Sequence, residues 1–164
     1  MKISPAIKGM ITAVLMISVI LVIFNMGKNA DARLQYAVYA IYAIGIVWTL
    51  VAFRQTAAYT GSFGNLFNQG FRCFIVVTLL MAVFYGVFNY IHPEFGEESA
   101  KIYKEQLEAS VAKNERLPIE VESEVATYKK QYTLKLVSGA IFGYLIIGVA
   151  VTAAISVFLI KRKE

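Results

Sequence analysis

The sequence predicts an all-α integral membrane protein: a four-helix bundle with an extramembrane helical hairpin between its third and fourth helices. Three observations carry that reading. Hydrophobic residues make up 58% of the chain and the mean hydropathy is +0.60, against the ~45–50% apolar content of soluble domains. These residues are gathered into four blocks, each long enough to cross a hydrocarbon layer of ~30 Å. The polar stretch between the third and fourth blocks keeps a helical period. Residues 1–164 therefore form a single membrane domain, with spans near 9–26, 34–53, 71–91 and 136–160 and the hairpin over 92–135.

In the first block, Met10 to Phe24 carries only Thr12 and Ser18 as polar side chains, and Lys2 and Lys8 precede it. A signal peptide is the alternative, since Ala30-Asp31-Ala32 matches a small-x-small cleavage pattern. Lys28 stands between the apolar run and that site, and Met1 is retained, which favours an uncleaved span. The second block opens with Tyr36, Tyr39 and Tyr42, continues through Trp48 and closes at Arg54. Gly45 and Thr49 form a small-xxx-small pair suited to close helix contact. Residues 55–70 are polar but retain Tyr59, Phe63, Leu66 and Phe67, interrupted by glycines. They are read either as a short interfacial helix capped by Ser62 or as a compact loop.

The third span starts beside Arg72 and ends at Pro93, whose missing N–H and effect on His92 stop or bend a helix. After it, Ala100, Tyr103, Leu107 and Val111 share one helix face, and Lys101/Glu105 and Lys104/Glu108 make i,i+4 pairs. Asn114 to Pro118 supplies a turn, with Pro118 tolerated in the first turn of the next helix. That next helix is expected to run unbroken from Ile119 to Ile160, half in water and half in lipid. Val121, Val125, Tyr128, Tyr132, Gly139, Gly143, Ala150 and Ala154 lie within ~60° of one another at ~100° per residue. Before Leu136 the other faces carry Glu120, Glu122, Glu124, Lys129, Lys130 and Lys135; after it no charge appears until Lys161.

Orientation follows from the basic residues. Lys2, Lys8, Arg54, Arg72, Lys161, Arg162 and Lys163 lie in short segments on one side. The other side holds more in total, but most are spread through the hairpin among glutamates. Short basic flanks dominate orientation, so both termini are expected to be cytoplasmic.

The segments Gly61-Ser62-Phe63-Gly64, Gly70-Phe71-Arg72 and Asn89-Tyr90-Ile91-His92-Pro93-Glu94-Phe95 resemble a family of small Bacteroidota membrane proteins of unknown function. In that family a glycine- and phenylalanine-containing loop precedes the third span and a Pro-Glu/Asp-Phe-like element follows it. The resemblance covers essentially the whole chain. It implies four spans, a bacterial inner membrane and a helical insertion between spans three and four, and it brings no catalytic residues with it.

The chemistry is sparse. The four apolar cores hold no ionisable group, which disfavours a proton-coupled pump; Thr78, Asn89, Ser138, Thr152 and Ser156 are read as interhelical hydrogen-bonding groups, with a passive pore as the alternative. The net charge of +5 is not gathered into a basic stripe, so nucleic acid is excluded as a partner. Cys73 is the sole cysteine, His92 the sole histidine, and Glu120, Glu122 and Glu124 lack the glycine-turned loop of a calcium site. No metal, cofactor or enzymatic activity is expected.

Two features stand above that background. Tyr36, Tyr39, Tyr42, Tyr85, Tyr90, Tyr128 and Tyr132 map to the outer half or the hairpin and are read as interface anchors and hairpin packing, with a candidate aromatic surface that stacks on sugar or lipid headgroups as the alternative. Gly139, Gly143, Ala150 and Ala154 form a candidate packing face on the fourth span, with Gly148, Thr152 and Ser156 on the opposite side. A helix with two small-residue faces can pack in its own bundle and keep one face for a membrane-protein partner or a second copy. The leading reading is a non-catalytic accessory or scaffold subunit of an envelope complex in the inner membrane. A passive or lipid-directed transporter is the alternative.

Overall fold

A computed structural model describes residues 3–26, 32–111 and 118–160. Five α-helices and no strand occur among them: α1 (Pro5–Asn25), α2 (Ala32–Arg54), α3 (Phe63–Ile91), α4 (Glu94–Val111) and α5 (Pro118–Leu159). Four of these, α1, α2, α3 and α5, are long and apolar enough to cross a membrane. The Ala30-Asp31-Ala32 pattern and the Asn114 turn lie wholly or largely outside the described residues.

Local chemistry sets the helix ends. Ser4 caps α1, its hydroxyl accepting from Ile7 N–H at 3.3 Å, and Pro5 fills the first turn, where its missing N–H costs nothing. The sequence reading of 55–70 needs correction. Ser62 does cap a helix, accepting from Asn65 N–H at 3.3 Å, but that helix is α3 itself, which runs from Phe63 into the span without a break. Glycine inside a helix costs only ~1 kcal/mol, so Gly64 and Gly70 do not end it. Gly61, with φ +79°, is the residue that turns the chain. At the far end α3 stops at Ile91 before His92-Pro93, and α4 begins at Glu94.

Contacts divide the chain into two compact units, one of Met1–Met81 with Ala140–Glu164 and one of Ala82–Gly139. In the first, close approach is made by glycines. A Cβ on Gly9 would lie 2.6 Å from the Cys73 carbonyl, and one on Gly45 would meet the Thr12 side chain. Gly70 receives Thr152 in the same way, and Gly148 receives Tyr42 and Phe74. Small residues at each crossing let helix backbones pack where lipid offers no hydrophobic drive. Ala13, Met16, Ile46, Leu50, Leu66, Phe74, Val77 and Met81 are fully buried around them.

The second unit is the hairpin with the end of α3. Ala100 and Leu107 on α4 and Val121 on α5 are buried. Tyr103 stacks on Tyr128 with ring centroids 4.4 Å apart and 18° between planes. The Tyr103 hydroxyl donates to Glu124 at 3.3 Å, Lys129 bonds Glu97 at 2.9 Å, and Lys104 pairs with Glu108 at 3.7 Å. The ion pairs are exposed, so each is worth at most ~1 kcal/mol, and the tyrosine stack and apolar stripe hold the unit.

Candidate functional site

The side chains that stand out lie at helix crossings, and one cluster centres on Tyr42. Tyr42 is fully buried and its hydroxyl donates to the Tyr144 carbonyl at 2.9 Å. The two rings meet edge-on, with centroids 5.3 Å apart, and Tyr39 lies 6.0 Å from Tyr144. Counting Tyr42 among surface tyrosines is therefore corrected: in an apolar interior a phenol must find an acceptor, and α5 supplies one. Tyr144, the tyrosine that receives it, is missing from the sequence-derived set, although it falls four residues before Gly148 on the small inner face.

The other tyrosines of that set differ in exposure. Tyr36, Tyr39 and Tyr90 are exposed, Tyr90 at 87%, while Tyr85, Tyr128 and Tyr132 are half-buried. Tyr128 spends one ring face on Tyr103 and has the Lys135 ammonium 5.3 Å from its centroid. Tyr132 packs on Gly96, where an added Cβ would come within 3.2 Å of its ring.

The two small-residue faces of α5 have different surroundings. Gly148, Thr152 and Ser156 are buried. Ala150 and Ala154 are exposed, and a Cβ on Gly143 meets nothing within 4 Å; the same holds for Gly139. The stripe that begins at Val121 therefore does not stay buried along the helix. Val121 faces inward in the hairpin, whereas Tyr144, Gly148, Thr152 and Ser156 face inward further along. The helix is continuous, but its buried side follows its neighbours: α4 in one stretch, α2 and α3 in the other.

Most polar groups within the spans bond to their own helix, which corrects the interhelical reading. Thr12 donates to the Lys8 carbonyl at 2.8 Å, Thr78 to Phe74 at 2.9 Å, Ser138 to Leu134 at 2.7 Å, and the Asn89 amide to Tyr85 at 2.9 Å. Thr49 also closes on its own turn at Gly45, and its hydroxyl lies 3.3 Å from Cys73 Sγ on α3. Among the described residues Thr152 Oγ1 and Ser156 Oγ are buried without a hydrogen-bond partner.

Lys8 is a residue whose place the sequence misreads. It lies inside α1 and is 7% exposed, with its ammonium 5.3 Å from the centroid of Trp48, the sole tryptophan. A cation over an indole face gains up to ~2 kcal/mol when desolvated. His92, at the α3–α4 junction, has Nδ1 2.7 Å from Glu94 Oε1 and its ring 4.8 Å from Phe88. The Glu94 carboxyl is held below the usual carboxylate range, first by its own backbone N–H at the start of α4 and then by His92. Among the described residues no three His, Cys, Asp or Glu side chains gather as a metal site would require.

Compared with known families, residues 8–161 match the model of a family described as a protein of unknown function, DUF4199. Neither the curated proteins nor the solved structures compared with the chain give a match.

Proposed function

The chain belongs to the DUF4199 family of proteins of unknown function, and from its own geometry we propose that it is a non-catalytic accessory or scaffold subunit of a bacterial envelope complex. The reading rests on one observation. α5 carries two small-residue faces; Gly148, Thr152 and Ser156 are used inside the bundle, while Gly143, Ala150 and Ala154 are left open. Small residues on a lipid-facing helix give a second helix a close approach, and van der Waals contact at that distance drives association in a membrane. The charged hairpin then presents its exposed lysines and glutamates to whatever the complex holds outside the bilayer.

The test is purification in mild detergent followed by mass spectrometry, comparing the parent with Gly139→Leu/Gly143→Leu. Stoichiometric recovery of another membrane protein or a second copy, lost in a double variant that still inserts, is the expected result. A second reading, a passive or lipid-directed transporter, draws on Thr152 and Ser156, whose unpartnered buried hydroxyls are the kind of groups that line a polar path. If the parent purifies alone and conducts a solute in liposomes, that reading replaces the first.

The setting proposed is the inner membrane with both termini cytoplasmic, supported by the short basic flanks at Arg54, Arg72 and Lys161-Arg162-Lys163. Reporter fusions at Gly64, Asn114 and Glu164 are expected to read cytoplasmic, external and cytoplasmic. An external Glu164 with a cytoplasmic Asn114 inverts the orientation.

A further inference from the structure

The connection from α2 to α3 is built more firmly than a link of its length requires. Thr56 N–H bonds the Phe53 carbonyl at 2.9 Å and Tyr59 N–H the Thr56 carbonyl at 3.1 Å. The Tyr59 ring lies edge-on to Phe53 at 6.1 Å, and its hydroxyl donates to the Leu159 carbonyl at 3.2 Å, tying the turn to the end of α5. Thr60 N–H bonds the Asn65 side chain at 3.3 Å, and Gly61 turns the chain back into α3. These bonds hold open a basin of about 640 Å³ between the end of α2 and Gly61.

Its lining has the chemistry of an anion site. Arg54 and Gln55 supply the side-chain donors left over, because the Thr56 hydroxyl is spent on the Phe53 carbonyl, that of Tyr59 on Leu159, and that of Thr60 is paired with the Ser62 hydroxyl at 3.2 Å. Among the described residues no acidic side chain lines it and nothing pairs with the exposed Arg54 guanidinium. Val51 gives one wall an apolar surface. The basin also has a depth in the membrane. Arg54 is the last residue of α2, a helix of spanning length, so the guanidinium stands where headgroup phosphates lie. A planar fork of donors suits phosphate oxygens, and the neighbouring apolar wall suits an acyl chain.

We propose that this basin binds the phosphate of an anionic phospholipid headgroup, with Arg54 as the principal contact and Gln55 beside it. The proposal needs only that the chain sits in a bilayer, and it is independent of the scaffold reading.

The full chain, purified in mild detergent, is titrated with phosphatidylglycerol, with phosphatidylcholine and with inorganic phosphate, and its thermal midpoint is followed. Phosphatidylglycerol is expected to raise the midpoint well above the other two. Arg54→Gln is expected to weaken that response roughly tenfold in lipid concentration, as loss of a charge-assisted hydrogen bond implies. Gln55→Glu, which adds a carboxylate to the same basin and leaves Arg54 in place, is expected to abolish it. Arg72→Gln, a change at an exposed arginine on α3, is expected to keep the parent response. An equal response to inorganic phosphate makes the ligand a free anion and overturns the lipid assignment. An equal response to phosphatidylcholine overturns the anion site. So does a parent-like response in folded Arg54→Gln or Gln55→Glu, or an equal loss in Arg72→Gln.

Discussion

Gly148→Leu is expected to destabilise the protein by about 3 kcal/mol, the upper part of the usual range for overpacking. A Cβ at that position would lie 2.5 Å from the Tyr42 hydroxyl and 2.7 Å from Phe74 Cγ. Both side chains are fully buried, so neither has free space to retreat into. Any shift of Tyr42 also strains its bond to the Tyr144 carbonyl, and an orphaned phenol inside the bundle adds about 1–3 kcal/mol. Gly143→Leu is the matched control on the same helix when both are compared in the monomeric fraction, where loss of a partner at that face does not enter: its added side chain meets open space within the chain, and its effect should stay within about 0.5 kcal/mol. Thermal unfolding in mild detergent, followed by helical circular dichroism, separates the two. Equal shifts would mean that Gly148 is not at a tight crossing, or that Gly143 is not open.

That contrast marks where the sequence was legible and where it was not. Both glycines belong to small-residue faces that the helical period separates, so the existence of two faces follows from spacing alone. Which of them turns inward depends on what α2 and α3 present, and Tyr42 and Phe74 decide that in favour of Gly148. The same dependence explains Tyr42, whose place at the start of an apolar block looks like an interface anchor until Tyr144 supplies an acceptor from α5, far away in sequence. Block length and charge placed the four spans and the hairpin because desolvation is local and additive along a chain. Helix ends were legible where proline or a hydroxyl cap acts, as at Ser62, Pro93 and Pro118. They were misread at 55–70, where glycines that look like breakers are tolerated inside α3 and one of them, Gly70, receives Thr152. Arg54 and Gln55 read as an ordinary basic flank. Only the hydrogen bonds of Tyr59 and Thr60 reveal a basin beside them.

The continuity of α5 carries the other large effect. Its bounds, Pro118 and Leu159, make one helix of the hairpin arm and the fourth span, so a proline near the middle of the arm must break a backbone ladder with no nearby end to absorb it. Tyr128→Pro removes the N–H that bonds one turn back and sets its ring against the carbonyl there, a cost of ~3 kcal/mol or more. The substitution also deletes the ring stacked on Tyr103 at 4.4 Å. Tyr128→Ala isolates that second part. It keeps the helix, since alanine is the best helix former, and forfeits the stack, worth ~0.5–1.5 kcal/mol beyond the area it buries. Limited proteolysis of the inserted protein, read together with its steady-state level, is expected to rank parent above Tyr128→Ala and Tyr128→Ala well above Tyr128→Pro. Cleavage in the proline variant should concentrate near residue 128, because the glutamates and lysines flanking a broken turn have only exposed ion pairs, such as Lys129 with Glu97, to hold them. If Tyr128→Pro accumulates and resists protease like the parent, the hairpin arm and the span are not one helix, and the arm is held by its side-chain contacts alone.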